Sequence, residues 1–231
     1  MKKFKVWFIL SLVMNLLLIG IGSFIVYKQG GMAVVKKFFS SEEYSEYYIQ
    51  KKVSFESYDY PDVDKVFLGD SITDHGELQT YFPGEVVLNR GIVEDDTKGV
   101  LNRIDEVVKR NPEEVYILVG INDIGGNVDI EEYHKNMEKI IQSFDHSSTK
   151  VIVQSILPVN NQKFEKKISN ETVHQFNEVL QQLAKENDIQ YVDLNRHFEN
   201  AYGQLKKEYT VDGIHLTGDG YDVWMEKLKS K

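Results

Sequence analysis

"VFLGDSITDHG", residues 66–76, is an apolar run that stops at a glycine and turns into a small polar cluster. Lys65, Val66, Phe67 and Leu68 suit a strand, and Asp70, Ser71 and Thr73 follow Gly69 at once. Ser71 has two readings at this point. It caps a helix, as serine and aspartate both do, or it is a nucleophile. A serine nucleophile needs a base, an acid that orients the base, and donors for an oxyanion. The rest of the chain must supply them.

The same strand-then-polar pattern recurs downstream. Apolar runs at 65–68, 86–89, 115–119, 151–155 and 190–193 alternate with amphipathic segments at 97–109, 130–144, 170–186 and 218–228. The runs are rich in Val and Ile and largely lack alternation, which predicts strands buried on both faces. Strands of that kind alternating with helices predict a parallel sheet covered on both sides. Asp129 with Glu132 makes a capping pair for one helix, and Asn111-Pro112 ends another. In such sheets, binding groups gather beyond the carboxyl ends of the strands. Asp70-Ser71, "NRGIVEDDT" (89–97) and "GINDIGG" (120–126) follow the first three strands. These three loops are expected to face one crevice.

"YTVDGIHLTGDGY", residues 209–221, supplies the missing chemistry. Asp212 and His215 are three residues apart, so on one tight turn the carboxylate can hold His215 Nδ1–H and leave Nε2 facing outward as an acceptor. An acid-oriented base is what Ser71 requires. Asn122 offers a side-chain amide with two N–H groups and no charge, and the Ser71 backbone N–H offers a second oxyanion donor. Taken singly, His215 reads as an ordinary histidine, and Asn122-Asp123 as turn chemistry. His75, His134, His146, His174 and His197 lack ligand spacing and the chain has no cysteine, so neither metal nor cofactor is expected.

The formal net charge is −9 over 231 residues; residues 1–37 carry six lysines and no acid, which leaves −15 on the remainder. A domain that anionic is a poor partner for nucleic acid. Residues 6–27, "VWFILSLVMNLLLIGIGSFIVY", hold no charge over 22 positions, with Lys2, Lys3 and Lys5 ahead of them. That length predicts a membrane anchor, and the lysines place the amino terminus in the cytoplasm and the main domain outside. "SFIVYKQGG" lacks the small-x-small site of a cleaved leader. Between anchor and domain, Ser40 with Glu43 resembles a capping box for a short helix reaching about Lys52.

"GDSIT" (69–73), "GIND" (120–123) and "DGIH" (212–215) together resemble blocks I, III and V of the SGNH (GDSL) hydrolases, in order and spacing. "NRGI", "SILPVN" and the terminal "GY..W" resemble the branch of platelet-activating-factor acetylhydrolase and bacterial acylesterases. The resemblance implies a flavodoxin-like three-layer α/β/α domain with a five-stranded parallel sheet, preceded here by one transmembrane helix. It implies ester hydrolysis by Ser71, His215 and Asp212, an oxyanion hole of Ser71, Asn122 and the residue at 94, and support from Asp70, Gly120 and Asp123. Block II departs from the family. "NRGISGDTT" is the usual form, and Glu94 stands where its later glycine would donate an N–H. Glutamate tolerates positive φ poorly. Gly91, in the same loop, is not the donor on this alignment.

The expected organisation is a tail and anchor over 1–28, a linker with a short helix over 29–61, and the hydrolase domain over 62–231. The expected function is a membrane-anchored, extracytoplasmic serine esterase acting on short acyl esters of a glycan or small molecule. A lysophospholipase or thioesterase is the alternative enzyme. A weakly active binding module on the same fold is the alternative outside enzymes, with Glu94 as its support.

Overall fold

The computed structural model describes residues 2–28, 44–58, 63–165 and 168–229, without the side chains of 2–4, 6, 9, 25 and 26. Two compact units are formed, Met1–Ser45 and Glu46–Lys231. The first contains α1 (Lys2–Lys28), a single helix of 27 residues. Among the described residues no helix is long and apolar enough to cross a membrane, so the fold does not establish the expected span. The Ser40–Glu43 capping box lies outside the described residues.

The second unit opens with α2 (Glu46–Ser57) and proceeds through β1 (Lys65–Gly69), α3 (Ser71–Asp74), β2 (Val87–Gly91), α4 (Thr97–Leu101), α5 (Ile104–Val108) and β3 (Glu114–Leu118). It continues with α6 (Ile121–Gly125), α7 (Ile130–Gln142), β4 (Lys150–Gln154), α8 (Asn170–Glu186), β5 (Gln190–Val192), α9 (Asn195–Phe198) and α10 (Gly218–Lys229). All five expected strands form one parallel sheet in the order β2-β1-β3-β4-β5.

Alternate residues of each strand serve different cores. Val66 and Leu68 of β1 join Val115, Ile117, Val153 and the inner faces of α7 and α8. Phe67 joins Tyr116, Ile152 and the Trp224 face of α10. Phe67 stacks on Tyr116 at 4.7 Å and meets Trp224 edge-on at 6.3 Å between ring centroids. Both faces of the strand are thus dry, which is why its sequence shows no alternation. Truncating a fully buried ring such as Phe67 to Ala costs roughly 3–5 kcal/mol.

The expected single helix over 97–109 is two short helices. The break falls at Arg103, which has φ −131° and ψ 9°. Its guanidinium is buried against Asp95 and the Gly69 carbonyl oxygen at 3.1 Å, and those long-range bonds win over continued helix. The Asp129 cap is present, but its carboxylate accepts from the Glu131 N–H rather than pairing with Glu132. Asn111, before Pro112, turns out of α5 with φ 44°.

The sheet fixes the crevice. Gly69 at the end of β1 is in register with Gly91 of β2 and with Leu118 of β3. Three adjacent strands therefore end level, and the loops carrying Ser71, Glu94 and Asn122 leave side by side. β1 lies where the chain's crossovers change direction, the place where α/β sheets open a crevice.

Candidate active site

Asp70, not Ser71, is the helix cap. Asp70 has extended backbone and its carboxylate accepts the Ile72 N–H at 2.9 Å. Ser71 begins α3 with its hydroxyl uncommitted to capping, and its Oγ lies 3.0 Å from His215 Nε2. Ser71 is buried at 6 % exposure. α3 is held from behind by Tyr221, whose hydroxyl donates to the Ile72 carbonyl at 2.7 Å, and by Asn89, whose amide donates to Thr73 and Gly76 carbonyls.

His215 stands on a tight loop. Asp212 Oδ1 accepts the N–H groups of Ile214 and His215 at 3.0 and 2.9 Å, and Oδ2 meets His215 Nδ1 at 2.7 Å. With Nδ1 protonated toward Asp212, Nε2 faces Ser71 as an acceptor. Burial acts to raise the Asp212 pKa, but hydrogen bonds from the His215 ring and from the His215 and Ile214 backbone outweigh it and pull it down to about 2. Gly213 makes the loop possible: φ is +101°, and a Cβ there would stand 2.6 Å from the Asn160 carbonyl oxygen. The Asn160 N–H donates to the Gly213 carbonyl at 2.7 Å and pins the loop.

The block II loop keeps a glycine-like backbone without the glycine. Ile92 to Asp95 form a tight turn, closed by Asp95 N–H to Ile92 carbonyl at 3.2 Å, with Glu94 third at φ 64°. A third turn residue in that region is normally Gly or Asn. Among the described residues neither the Glu94 N–H nor the Ser71 N–H has an acceptor. Asn122, on α6, donates one amide N–H to the Asp95 carbonyl at 2.8 Å and has a second to offer.

The three supporting residues act structurally. Asp123 is buried and receives the Thr97 N–H and hydroxyl at the first residue of α4, whose cap is Asp96. Gly120 leads into α6 at φ +141°, where a Cβ would strike Ile156 and Tyr133. Asp70 Oδ2 is buried with no partner among the described residues. Burial, opposed by the Ile72 N–H and reinforced by Asp95 and Asp123, lifts the Asp70 pKa to about 7. Burial likewise lifts Asp123 to about 7 against its Thr97 bonds, and Asp95 to about 6 against Arg103.

Two features lay outside the sequence reading. The His75 ring lies 5.0 Å from the His215 ring, a proximity that its lack of ligand spacing did not suggest. A groove of about 780 Å³ runs from Glu94, Asn122 and Ile214 over Ile121, Phe164 and Ile168. Its walls come from segments far apart in sequence, and no local pattern announces it. Among the described residues no cluster of metal-ligating side chains occurs.

The sequence profile of GDSL-like lipases and acylhydrolases matches residues 67–223. The chain belongs to that family, a class of ester-bond hydrolases. It is 30% identical over 171 residues to the platelet-activating factor acetylhydrolase IB subunit alpha2 of Homo sapiens, covering 70% of this chain and 71% of that protein. It is 26% identical over 159 residues to an N-acylneuraminate cytidylyltransferase of Streptococcus agalactiae. That match takes in 69% of this chain and 36% of the relative, so the chain spans about a third of that protein's length. A solved protein from Streptococcus pneumonia, provisionally named a platelet activating factor, superposes with a TM-score of 0.74 at 31% identity, covering 80% of this chain and 92% of that one. The GDSL-family fold and the acylhydrolase class thus agree with the motifs at 69–73, 120–123 and 212–215.

Proposed function

We propose that this acylhydrolase is a serine esterase that removes short acyl groups through Ser71, His215 and Asp212, anchored in a membrane with its catalytic unit outside the cytoplasm. One observation carries the chemical part: the unbroken chain Ser71 Oγ–His215 Nε2 at 3.0 Å and His215 Nδ1–Asp212 Oδ2 at 2.7 Å. Ser71 attacks the acyl carbonyl while His215 takes its proton. The oxyanion draws on the Ser71 N–H, the Glu94 N–H and the Asn122 amide. His215 returns the proton to the leaving alcohol, and a water repeats the cycle on the acyl-enzyme. Asp212 stays ionised throughout and stabilises the charged imidazole.

The short-acyl preference draws support from the acetylhydrolase relative, and a glycan or small ester is its proposed substrate. The groove beside Asn122 favours a second reading, a lysophospholipase or thioesterase, because its walls at Ile121, Phe164 and Ile168 are apolar. Rates of the full chain on acetyl, butyryl and octanoyl p-nitrophenyl esters, against Ser71→Ala, separate the two. A fall in kcat/KM with chain length supports the first reading, and a rise supports the second. Turnover equal to that of Ser71→Ala would overturn both.

The anchor reading rests on the sequence of residues 6–27 within α1, 22 positions without a charge behind Lys2, Lys3 and Lys5. Its described large apolar side chains, Trp7 through Phe24, are exposed. A helix apolar all round has no polar face to turn to water. Recovery of the full chain with membranes after alkaline washing, and protease access to the catalytic unit in intact cells, test this part. Release by alkali would overturn it.

A further inference from the structure

α2 precedes the family-matched region, which begins at residue 67, yet it reaches the reacting centre through one carboxylate. Asp74, the last residue of α3, is three positions after Ser71 and its side chain is 5% exposed. Its Oδ1 accepts Lys51 Nζ at 2.6 Å. Its Oδ2 accepts the Tyr47 hydroxyl at 2.6 Å and the Val93 N–H at 3.3 Å. Lys51 and Tyr47 lie one turn apart on α2, and Val93 directly precedes Glu94. A single side chain therefore joins α2, the helix that begins with Ser71, and the turn that presents the Glu94 N–H.

We propose that α2 is a working part of the active site, with Tyr47, Lys51 and Asp74 as positioning residues that hold the Glu94 N–H in register with Ser71. The inference rests on the reading of Ser71 and the Glu94 N–H given above. Its physical basis is the strain at Glu94. The Ile92–Asp95 turn with φ 64° at its third residue relaxes to the commoner turn by flipping the Val93–Glu94 peptide. That flip reverses the Glu94 N–H. A glycine at 94 has no steric reason to flip; a glutamate has. The turn here consequently needs outside support. On its far side, Asn122 holds the Asp95 carbonyl. On its near side, Asp74 holds Val93. Asp74 is in turn fixed by two donors from α2, which complete its hydrogen bonding and balance its charge.

α2 has other attachments, so these contacts can be removed without detaching it. Arg110 donates to the Phe55 and Tyr58 carbonyls at 2.8 and 2.6 Å, and the Tyr48 hydroxyl donates to the Gly99 carbonyl at 2.7 Å. Arg90 also lies over the Phe55 ring at 4.4 Å.

The test compares the full chain with Tyr47→Phe/Lys51→Met, Asp74→Asn and Ser71→Ala. The readouts are kcat and KM on p-nitrophenyl acetate, melting temperature, and the rate at which a p-nitrophenyl phosphonate labels Ser71. In that labelling the serine oxygen displaces p-nitrophenolate from phosphorus, His215 takes the proton, and the phosphoryl oxygen occupies the oxyanion position. The double variant is expected to lose about 10- to 100-fold in kcat, the scale of a misplaced oxyanion donor. KM should stay within about twofold, phosphonate labelling should slow in parallel, and the melting temperature should move by only a few degrees. Asp74→Asn keeps an oxygen for the Val93 N–H and should lose less than the double variant. Unchanged kcat in the double variant, with Ser71→Ala inactive, would overturn the inference while leaving the catalytic reading intact. A kcat loss matched by unfolding or by a rise in KM overturns it too. Full activity in Ser71→Ala would remove the catalytic reading and this inference together.

Discussion

Asn122 Nδ2 lies 2.8 Å from the carbonyl oxygen of Asp95, so the side chain proposed as an oxyanion donor also supports the turn that carries the second proposed donor, the Glu94 N–H. The two donors are mechanically linked. One amide hydrogen fixes the loop, and the proposed mechanism assigns the other to substrate. Removing Asn122 consequently takes away one donor and loosens another.

Asn122→Ala should therefore lower kcat by at least the roughly 10²–10³-fold typical of one lost oxyanion donor, with KM nearly unchanged. Steady-state kinetics on p-nitrophenyl acetate check this. A KM-only effect would place Asn122 in binding rather than in oxyanion stabilisation.

Asp212→Asn should keep the loop's backbone bonds but lose the ionic partner of His215. The loss in kcat is expected on the order of 10⁴-fold, the scale known for a triad whose acid no longer fixes the imidazole tautomer. Because Asp212 titrates near pH 2, its own ionisation should leave no inflection in the wild-type rate profile above about pH 3. An acid-limb inflection that disappears in Asp212→Asn would contradict this.

Glu94→Gly should relieve the left-handed backbone at 64°. The gain is about 1 kcal/mol, or roughly 2–4 °C in melting temperature for a chain of this size. The backbone donor is retained, so kcat on acetyl esters should hold or rise. Calorimetry and kinetics on the same preparation test both parts.

Asp70 makes stability depend on pH with a definite sign. Its pKa is raised from 3.8 to about 7 in the folded chain, so between about pH 4 and 7 the folded state holds a proton that the unfolded state has released. Stability falls as pH rises through that window. Asp123 and Asp95 act in the same direction. The melting temperature should be higher at pH 5 than at pH 8. Asp70→Asn, which keeps the cap on Ile72 and removes the charge, should raise the value at pH 8 and flatten the dependence.

Much of this was readable from local pattern because the physics was local. The central strands announce themselves since both faces of β1, β3 and β4 are buried, and Asp212-x-x-His215 closes its own hydrogen bonds within one loop. What escaped depends on partners distant in the chain. The break at Arg103 is set by Gly69, 34 residues away. The contact between Tyr47 and Asp74 spans 27 residues, and neither residue carries a signature. The family resemblance places Glu94 among the oxyanion donors with its backbone in doubt, because a letter cannot show that it takes the glycine conformation. His75 is unremarkable until α3 and the 210–217 loop are brought together.

The level ends of β2, β1 and β3 give the site an economy of redesign. Strands in a sheet stand about 4.8 Å apart, so the sheet itself spaces Ser71 from the proposed donors at Glu94 and Asn122, whatever happens at the other edge. On the proposed reading, substrate range falls instead to the connection between β4 and α8, where Phe164 and Ile168 wall the groove. That same connection props the loop of His215 through Asn160 and Gly213. If the proposed site is right, new specificities should be reached by exchanging side chains along it, whereas changing its length should shift His215 and abolish turnover.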